Sequence, residues 1–320
     1  MSHDSVPASD SAAPITSSAA ESTRVFRAEK ETLYVLATPL GNLRDITLRA
    51  LDILGSVDLI LAEDTRVSAK LLARYGIKAP LRALHEHNEC KSASSIIDLL
   101  QQGHSIALIS DAGTPAVSDP GARLVAAVRA AALPVVPIPG PCALIAAISA
   151  AGLNAEHFYF AGFLPVQSKA RRAQLEILME TLRTLDTALV FYEAPHRIRH
   201  TISDLAHAFQ EPRDLIIARE LTKTFETIQR TPLTDAVAWL DAHPDTERGE
   251  LVLIVDTPAT SLKNTTPRDT TLGDATLTRW LPALLEELPP ARAARVAAQA
   301  TGLPRSVIYD KIKSRRDSAD

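Results

Sequence analysis

Two cysteines in 320 residues, Cys90 and Cys142, are too few for a disulfide framework and fit a reducing compartment. No apolar run approaches the ~18 residues that cross a bilayer, so no membrane helix is expected. The phosphate-cradling patterns G-x-G-x-x-G and G-x-x-x-x-G-K-[ST] are both absent, which removes the usual dinucleotide and nucleotide loops. A ligand of this chain is therefore not expected to be held by its phosphates. No G-x-S-x-G elbow occurs either, which argues against an α/β-hydrolase. The first thirty residues are rich in Ser and Ala, have no apolar core and include Asp4, Asp10 and Glu21. They match neither a secretory signal nor an Arg-rich transit peptide and read as a disordered tail, which makes a cytoplasmic protein the expectation.

What is present is ordinary in bulk, at 46% hydrophobic and 22% charged residues, and long enough for two domains with a small appendage. The net charge of -4 speaks against a protein that coats nucleic acid. Charge is unevenly placed, however. From Arg292 to Arg316 seven basic residues (Arg292, Arg295, Arg305, Lys311, Lys313, Arg315, Arg316) face one acid, Asp310. Such a segment on an acidic chain points to an anionic partner.

Strand-like apolar runs at Leu33–Ala37, Val57–Leu61, Ser105–Ile109, Pro134–Ile138, Phe158–Ala161, Ala188–Tyr192, Leu215–Ala218 and Leu251–Val255 alternate with helical patterns. That alternation predicts βαβ units and a mostly parallel sheet. The expected division is a tail over 1–30, α/β domains over 31–150 and 151–258, a Thr/Pro-rich linker over 259–272, and a helical unit over 273–320. In that last unit, helices on either side of Thr301-Gly302-Leu303-Pro304 read as a helix-turn-helix, the second one bearing Lys311 and Lys313.

Chemistry is expected at strand ends, because ligands of open α/β sheets bind beyond the carboxyl ends of the strands. Ser110 to Gly121 reads Ser-Asp-Ala-Gly-Thr-Pro-Ala-Val-Ser-Asp-Pro-Gly and offers the carboxylate of Asp111, a close backbone approach at Gly113 and the hydroxyl of Thr114. Asp119 and Pro120 look like an N-cap and first-turn proline for the next helix, and Pro141 like the opening residue of another. Further strand ends carry Thr38-Pro39-Leu40-Gly41-Asn42, Glu63-Asp64-Thr65-Arg66 and Pro139-Gly140-Pro141-Cys142-Ala143. His85 and His87 fall on one side of a segment read as extended, near Cys90. With no companion Cys pair and no H-E-x-x-H, no metal is assigned and the segment is read as a polar loop.

Taken together, the segments Ala37–Ala50, Glu63–Arg66, Ser110–Gly121, Pro137–Ala143, Gly162–Pro165 (GFLP), Phe191–Ile198 (FYEAPHRI) and Ala218–Glu226 resemble the tetrapyrrole-methylase superfamily of S-adenosylmethionine (SAM) methyltransferases. Within it they look like the ribosomal RNA small subunit methyltransferase I branch, which 2′-O-methylates a cytidine of 16S rRNA. The resemblance covers about Leu33 to Val255 and includes the C-terminal helices. One departure is Cys142, where the branch usually has serine.

The resemblance implies two α/β domains with SAM in the cleft between them, a small helix-turn-helix-like unit and a homodimer. It places SAM on Pro39, Leu40, Asp111, Gly113, Thr114, Cys142, Ala143, Tyr192 and Leu221. Candidates for helping the acceptor hydroxyl lose its proton are Glu63, Asp64, Asp45 and Lys223. Asn42, Arg44, Arg66, Arg197, Lys311 and Lys313 are the expected RNA contacts. Two other readings stay open: a methyltransferase of this fold acting on a corrinoid or a protein side chain, and a ligand-sensing DNA-binding regulator.

Overall fold

The computed structural model describes residues 25–182, 186–209, 212–257, 272–301 and 305–317. Most of the expected tail, nearly all of the expected linker and residues 302–304 of the helix-turn-helix turn lie outside them. The chain divides into two units at Ala143/Leu144.

In the first unit, β1 (Leu33–Leu36), β2 (Leu59–Ala62), β3 (Leu81–Ala83), β4 (Ile106–Ile109) and β5 (Val135–Ile138) form one parallel sheet. The spatial order is β3-β2-β4-β1-β5. Every residue of β4 is buried, as a central parallel strand covered on both faces requires. Alternate residues feed two cores. Tyr34, Leu36, Ala107 and Ile109 pack with Ala50, Ile53 and Leu54 of α1 (Leu48–Leu54) and Leu72 of α2 (Thr65–Arg74). On the opposite face Leu33, Leu61, Ile106 and Leu108 meet Ile96 and Leu100 of α3 (Glu89–Gln101) and Leu124 and Val128 of α4 (Ala122–Ala130). This period of two orients every strand end that follows.

Two expected helix starts are corrected. Asp119 and Pro120 do not open α4: its N-cap is Gly121, whose φ of 129° an L side chain rarely adopts. The cap is supplied instead by buried Glu89, which accepts from Gly121 N at 3.1 Å and Leu124 N at 2.8 Å. Pro141 likewise stays outside α5 (Ala143–Ala151). The His85–Asn88 segment is a turn and not an extended run, because the Asn88 side chain accepts from His85 N at 2.9 Å.

The second unit carries β6 (His157–Phe163), β7 (Thr187–Glu193), β8 (Asp214–Arg219), β9 (Thr227–Pro232) and β10 (Leu251–Val255) in the order β6-β7-β10-β8-β9. Here the expectation of a mostly parallel sheet fails. Only β6 and β7 are parallel, and the other three pairings are antiparallel. The fully buried β10 reads as a parallel strand in sequence because burial on two faces, and not strand direction, writes an unbroken apolar run. Helices α6 (Ser168–Leu182), α7 (Ile198–Ala208) and α8 (Ala236–Ala242) contribute to its core through Leu175, Ile202 and Leu240.

The same unit ends in α9 (Leu272–Glu287), α10 (Pro290–Thr301) and α11 (Arg305–Asp317). They share a small core of Leu281, Ala294, Ala297, Ile308 and Ile312, which leaves Arg292, Arg295, Arg305 and Lys313 exposed.

Replacing Glu89 by Ala removes the side chain that satisfies the two α4 amides. The expected loss is about 2 kcal/mol of unfolding free energy, the usual scale for a lost buried cap. Denaturant unfolding of Glu89→Ala checks it; an unchanged midpoint would show that the cap contributes nothing.

Candidate functional site

The loops after β1, β4 and β5 are stitched into one platform. Thr38 N donates to Gly113 O at 2.8 Å and Gly113 N donates back to Thr38 O at 3.0 Å. The buried Thr38 hydroxyl donates to Ser110 O at 3.0 Å, and the Ser110 hydroxyl to Gly113 O at 3.1 Å. Thr114 Oγ1 reaches across to Pro141 O at 3.0 Å and ties in the third loop. Glycine is required at two of these approaches. A Cβ on Gly140 would lie 3.0 Å from Ala37 Cβ, and one on Gly113, at φ 84°, 3.2 Å from Leu40 Cδ2. Thus Leu40, Gly113, Thr114 and the segment before Cys142 and Ala143, expected to share a ligand, are neighbours. Cys142 is half-buried and directly precedes α5.

The loop after β2 joins them through Asp111, whose Oδ1 accepts from Asp64 N at 3.1 Å. Asp64 caps α2 by accepting from Arg66 N at 2.8 Å, and the exposed Arg66 guanidinium grips the same carboxylate at 2.6 Å. Those bonds hold the Asp64 carboxyl far below the usual carboxylate range. Burial, helped by Asp111 and Asp64, pushes Glu63 the other way. Burial also raises Asp111. Glu63 and Asp119 line a cleft of about 510 Å³ with His85, His87 and Arg123. Asp119 is the group that the sequence reading set aside as a helix cap. Its carboxyl is pushed up to about 7 by burial first, and then by the negative charge of Glu63. The signal available in sequence was only a carboxylate eight residues beyond Asp111 in one strand-end loop. Asp45 lies in a short 3-10 turn, exposed, where Asn42 caps the turn by accepting from Arg44 N at 3.1 Å.

In the second unit, the Tyr192 hydroxyl accepts from Leu144 N at 3.1 Å, and its ring meets Phe160 and Phe163 edge-on at 4.8 and 5.7 Å. Leu221 is buried between Glu220 and Thr222, which both have positive φ (50° and 68°), so this loop holds a costly backbone shape. Lys223 Nζ pairs with Glu220 at 2.8 Å and Glu250 at 3.1 Å. Burial works against its charge, but those two carboxylates outweigh it and keep the ammonium protonated. Arg197 is held inside, its Nη2 donating to Leu164 O at 2.6 Å while its Nε lies 3.1 Å from Glu193. Lys313 is exposed and Lys311 half-buried on α11. Among the described residues no group of three or more His, Cys, Asp and Glu is placed to hold a metal ion.

Asp119 fixes a pH prediction. Its folded value of about 7 exceeds the 3.8 of an ordinary aspartate, so below 3.8 both states are protonated and burial costs nothing. Stability is then lost as pH rises through 3.8 toward about 7, because the unfolded chain ionises first. Asp119→Asn should therefore raise the thermal midpoint more at about pH 8 than at about pH 4; equal gains would remove the buried carboxylate as the cause.

The model of the tetrapyrrole (corrin/porphyrin) methylases matches residues 32–237, and that of the RsmI C-terminal HTH domain matches 271–312. The chain is 45% identical over 285 residues to ribosomal RNA small subunit methyltransferase I of Pseudomonas aeruginosa, covering 89% of this chain and 98% of that protein. It is 47% identical over 279 residues to the protein of the same name from Xylella fastidiosa, covering 87% and 97%. Among solved structures, a cobalt precorrin-4 methyltransferase of cobalamin biosynthesis is similar at TM-score 0.52 and 17% identity, over 70% of this chain and 94% of that one. The methyltransferase CobJ is similar at TM-score 0.53 and 20% identity, over 71% and 94%. These two carry the fold alone. With the strand-end platform and the three C-terminal helices, the sequence matches show that the chain belongs to the tetrapyrrole methylase family and, within it, to the ribosomal RNA small subunit methyltransferases I.

Proposed function

We propose that the chain transfers a methyl group from SAM to the 2′-hydroxyl of a cytidine in 16S rRNA of the small ribosomal subunit. The observation that carries this reading is identity near 45% along almost the whole length of relatives named for the small-subunit RNA, with the C-terminal helical domain included. The five-part division given above, a homodimer and a cytoplasmic location belong to the same proposal. No helix among the described residues is long and apolar enough to cross a membrane.

The donor set suits SAM. It carries no phosphate, and the chain has no phosphate cradle. The platform offers a carboxylate, Asp111, for an ammonium group, and the backbone around Pro39, Leu40, Gly113, Thr114, Cys142 and Ala143 for the remaining polar edges. From the second unit, Tyr192 and Leu221 are assigned to the same ligand. When bound, SAM supplies an electrophilic methyl on a sulfonium, so transfer is an in-line displacement. The contribution of the chain is alignment, which for well-held reactants reaches about 7–11 kcal/mol. A platform cross-linked at four hydrogen bonds is suited to that task.

A ribose hydroxyl is a weak nucleophile, and a nearby base raises its reactivity. Of the four candidates, Asp64 is a poor base because Arg66 stabilises its charge, and Lys223 stays charged, which suits it to steady a developing anion. Asp45 sits exposed in its turn. Glu63 is raised by burial and faces a cleft, so we assign it the proton. The 2′-OH also separates RNA from DNA, and its base must be unpaired to reach the site.

Exposed Asn42, Arg44 and Arg66, with Lys311 and Lys313, are assigned to the RNA; Arg197 contributes through the loop carbonyls it holds. The acidic strand-end cleft argues for a polar, proton-releasing acceptor over a DNA-sensing role. The corrinoid alternative leaves the basic C-terminal helices without work.

The reading is tested by incubating the protein with methyl-labelled SAM and small subunits from a strain that lacks the gene. Label should appear on one cytidine ribose; label on a base, on protein or nowhere contradicts the reading. In the same assay Glu63→Gln should lower the rate by about 10²–10⁴ while SAM affinity holds.

A further inference from the structure

The GFLP and FYEAPHRI segments contribute only Tyr192 to the proposed SAM set, yet the fold spends much of its buried charge on them. Arg171 of α6, with its side chain 4% exposed, donates to Pro165 O at 3.2 Å and Val166 O at 3.0 Å. Its other nitrogens bind buried Asp204 of α7 at 2.7 and 2.6 Å. Arg197 holds Leu164 O at 2.6 Å and Pro165 O at 3.4 Å, and pairs with buried Glu193. Glu193 in turn accepts from Thr201. Two arginines and two carboxylates are thus consumed in fixing one loop. Arg197 Nε faces Glu193 as an ion pair without a hydrogen bond, so the network carries a desolvation cost, and what it achieves is to hold the loop.

Above this neutral layer lies a cleft of about 450 Å³. Its accessible lining is Arg172, His196, His200, Ser203, Ser168 and Val166. Arg172 gives its Nε to Asp204 at 2.6 Å and is 49% exposed. Asp204 already has a full partner in Arg171, so Arg172 is the surplus cation. His196, in the 3-10 turn Pro195–Arg197 that leads into α7, and His200 and Ser203 of α7 are all exposed, and the cleft brings the two imidazoles and the hydroxyl together. The only carboxylate in the lining is Asp204, buried and doubly paired. The first unit's cleft has the opposite balance, with Glu63, Glu86, Glu89 and Asp119 against one arginine, Arg123.

We infer that the Arg172–His196–His200–Ser203 cleft is a binding site for a backbone phosphate of the RNA substrate. This rests on the rRNA reading above. One net cation with imidazole and hydroxyl donors matches a phosphodiester, which carries one charge and accepts several hydrogen bonds. Val166, 74% exposed on the immobilised loop, gives the adjoining sugar or base an apolar surface. The pinned loop and the surplus arginine belong to one device, in which α6 and α7 hold a strand of RNA at a fixed height.

The test measures equilibrium binding of 16S rRNA over a range of salt concentrations, beside SAM affinity by calorimetry. Arg172→Ala should weaken RNA binding about five- to tenfold and make the salt dependence shallower by about 0.7–0.9 in log–log slope, the release expected for one phosphate contact. SAM affinity should hold. His196→Ala with His200→Ala, which disturbs no internal bond, should weaken RNA binding also. Wild-type RNA affinity and slope in Arg172→Ala overturn the site. If Arg172→Ala loses SAM affinity or thermal stability, the histidine pair decides, and unchanged RNA affinity there overturns it. A wild-type protein that binds SAM but neither 16S rRNA nor small subunits brings down the rRNA reading and this site together; RNA binding indifferent to these variants brings down only the site.

Discussion

Two reciprocal backbone hydrogen bonds join Thr38, just past β1, to Gly113, just past β4, and the site in the first unit is arranged around them. β1 and β4 are neighbours inside the sheet, so their loops leave side by side, and the paired bonds keep them from splaying into solvent. Once they are fixed, the Ser110 and Thr114 hydroxyls can tie in the carbonyls of Gly113 and Pro141. Asp111 can meanwhile hold the amide of Asp64. The result is a floor of pre-paired backbone from which selected polar groups project. Catalysis by alignment needs such a floor, because a reactant held by moving loops gains little from proximity.

Charge is divided with equal economy. Around the first unit's cleft, burial first and then neighbouring carboxylates raise Glu63, Asp111 and Asp119, which suits them to accept or share a proton. Asp64, one residue from Glu63, is driven the opposite way by Arg66. Neighbouring carboxylates in contrasting surroundings can take different roles. In the second unit the carboxylates Glu193, Asp204, Glu220 and Glu250 are paired with arginine or lysine and serve to hold loops.

The sequence showed some of this plainly and hid the rest for physical reasons. Buried strands such as β4 and β10 were legible because burial on both faces leaves an unbroken apolar run, and their ends located the loops. Edge strands β3 and β9 were not: Leu81–Ala83 is only three residues, and Thr227–Pro232 has a single apolar side chain apart from its proline, so it shows no apolar run. The capping of α4 by Glu89 was hidden because the partners are 32 and 35 residues apart in the chain. The same separation makes Asp119 look like the cap in sequence and hides its place beside Glu63. The partners of Arg197, Leu164 and Glu193, were not legible either, because Leu164 lies 33 residues away in the chain. The basic stretch from Arg292 to Arg316 needed no structure, since net charge along a short segment survives any folding.

In the proposed function the stitched loops of the first unit are the floor on which the methyl donor rests. Amide hydrogen exchange with and without SAM tests it directly. SAM should slow exchange chiefly across residues 37–43, 110–121 and 137–143, with smaller effects elsewhere in the first unit. Protection confined to other segments, with these three loops exchanging as in the free protein, would place the methyl donor elsewhere.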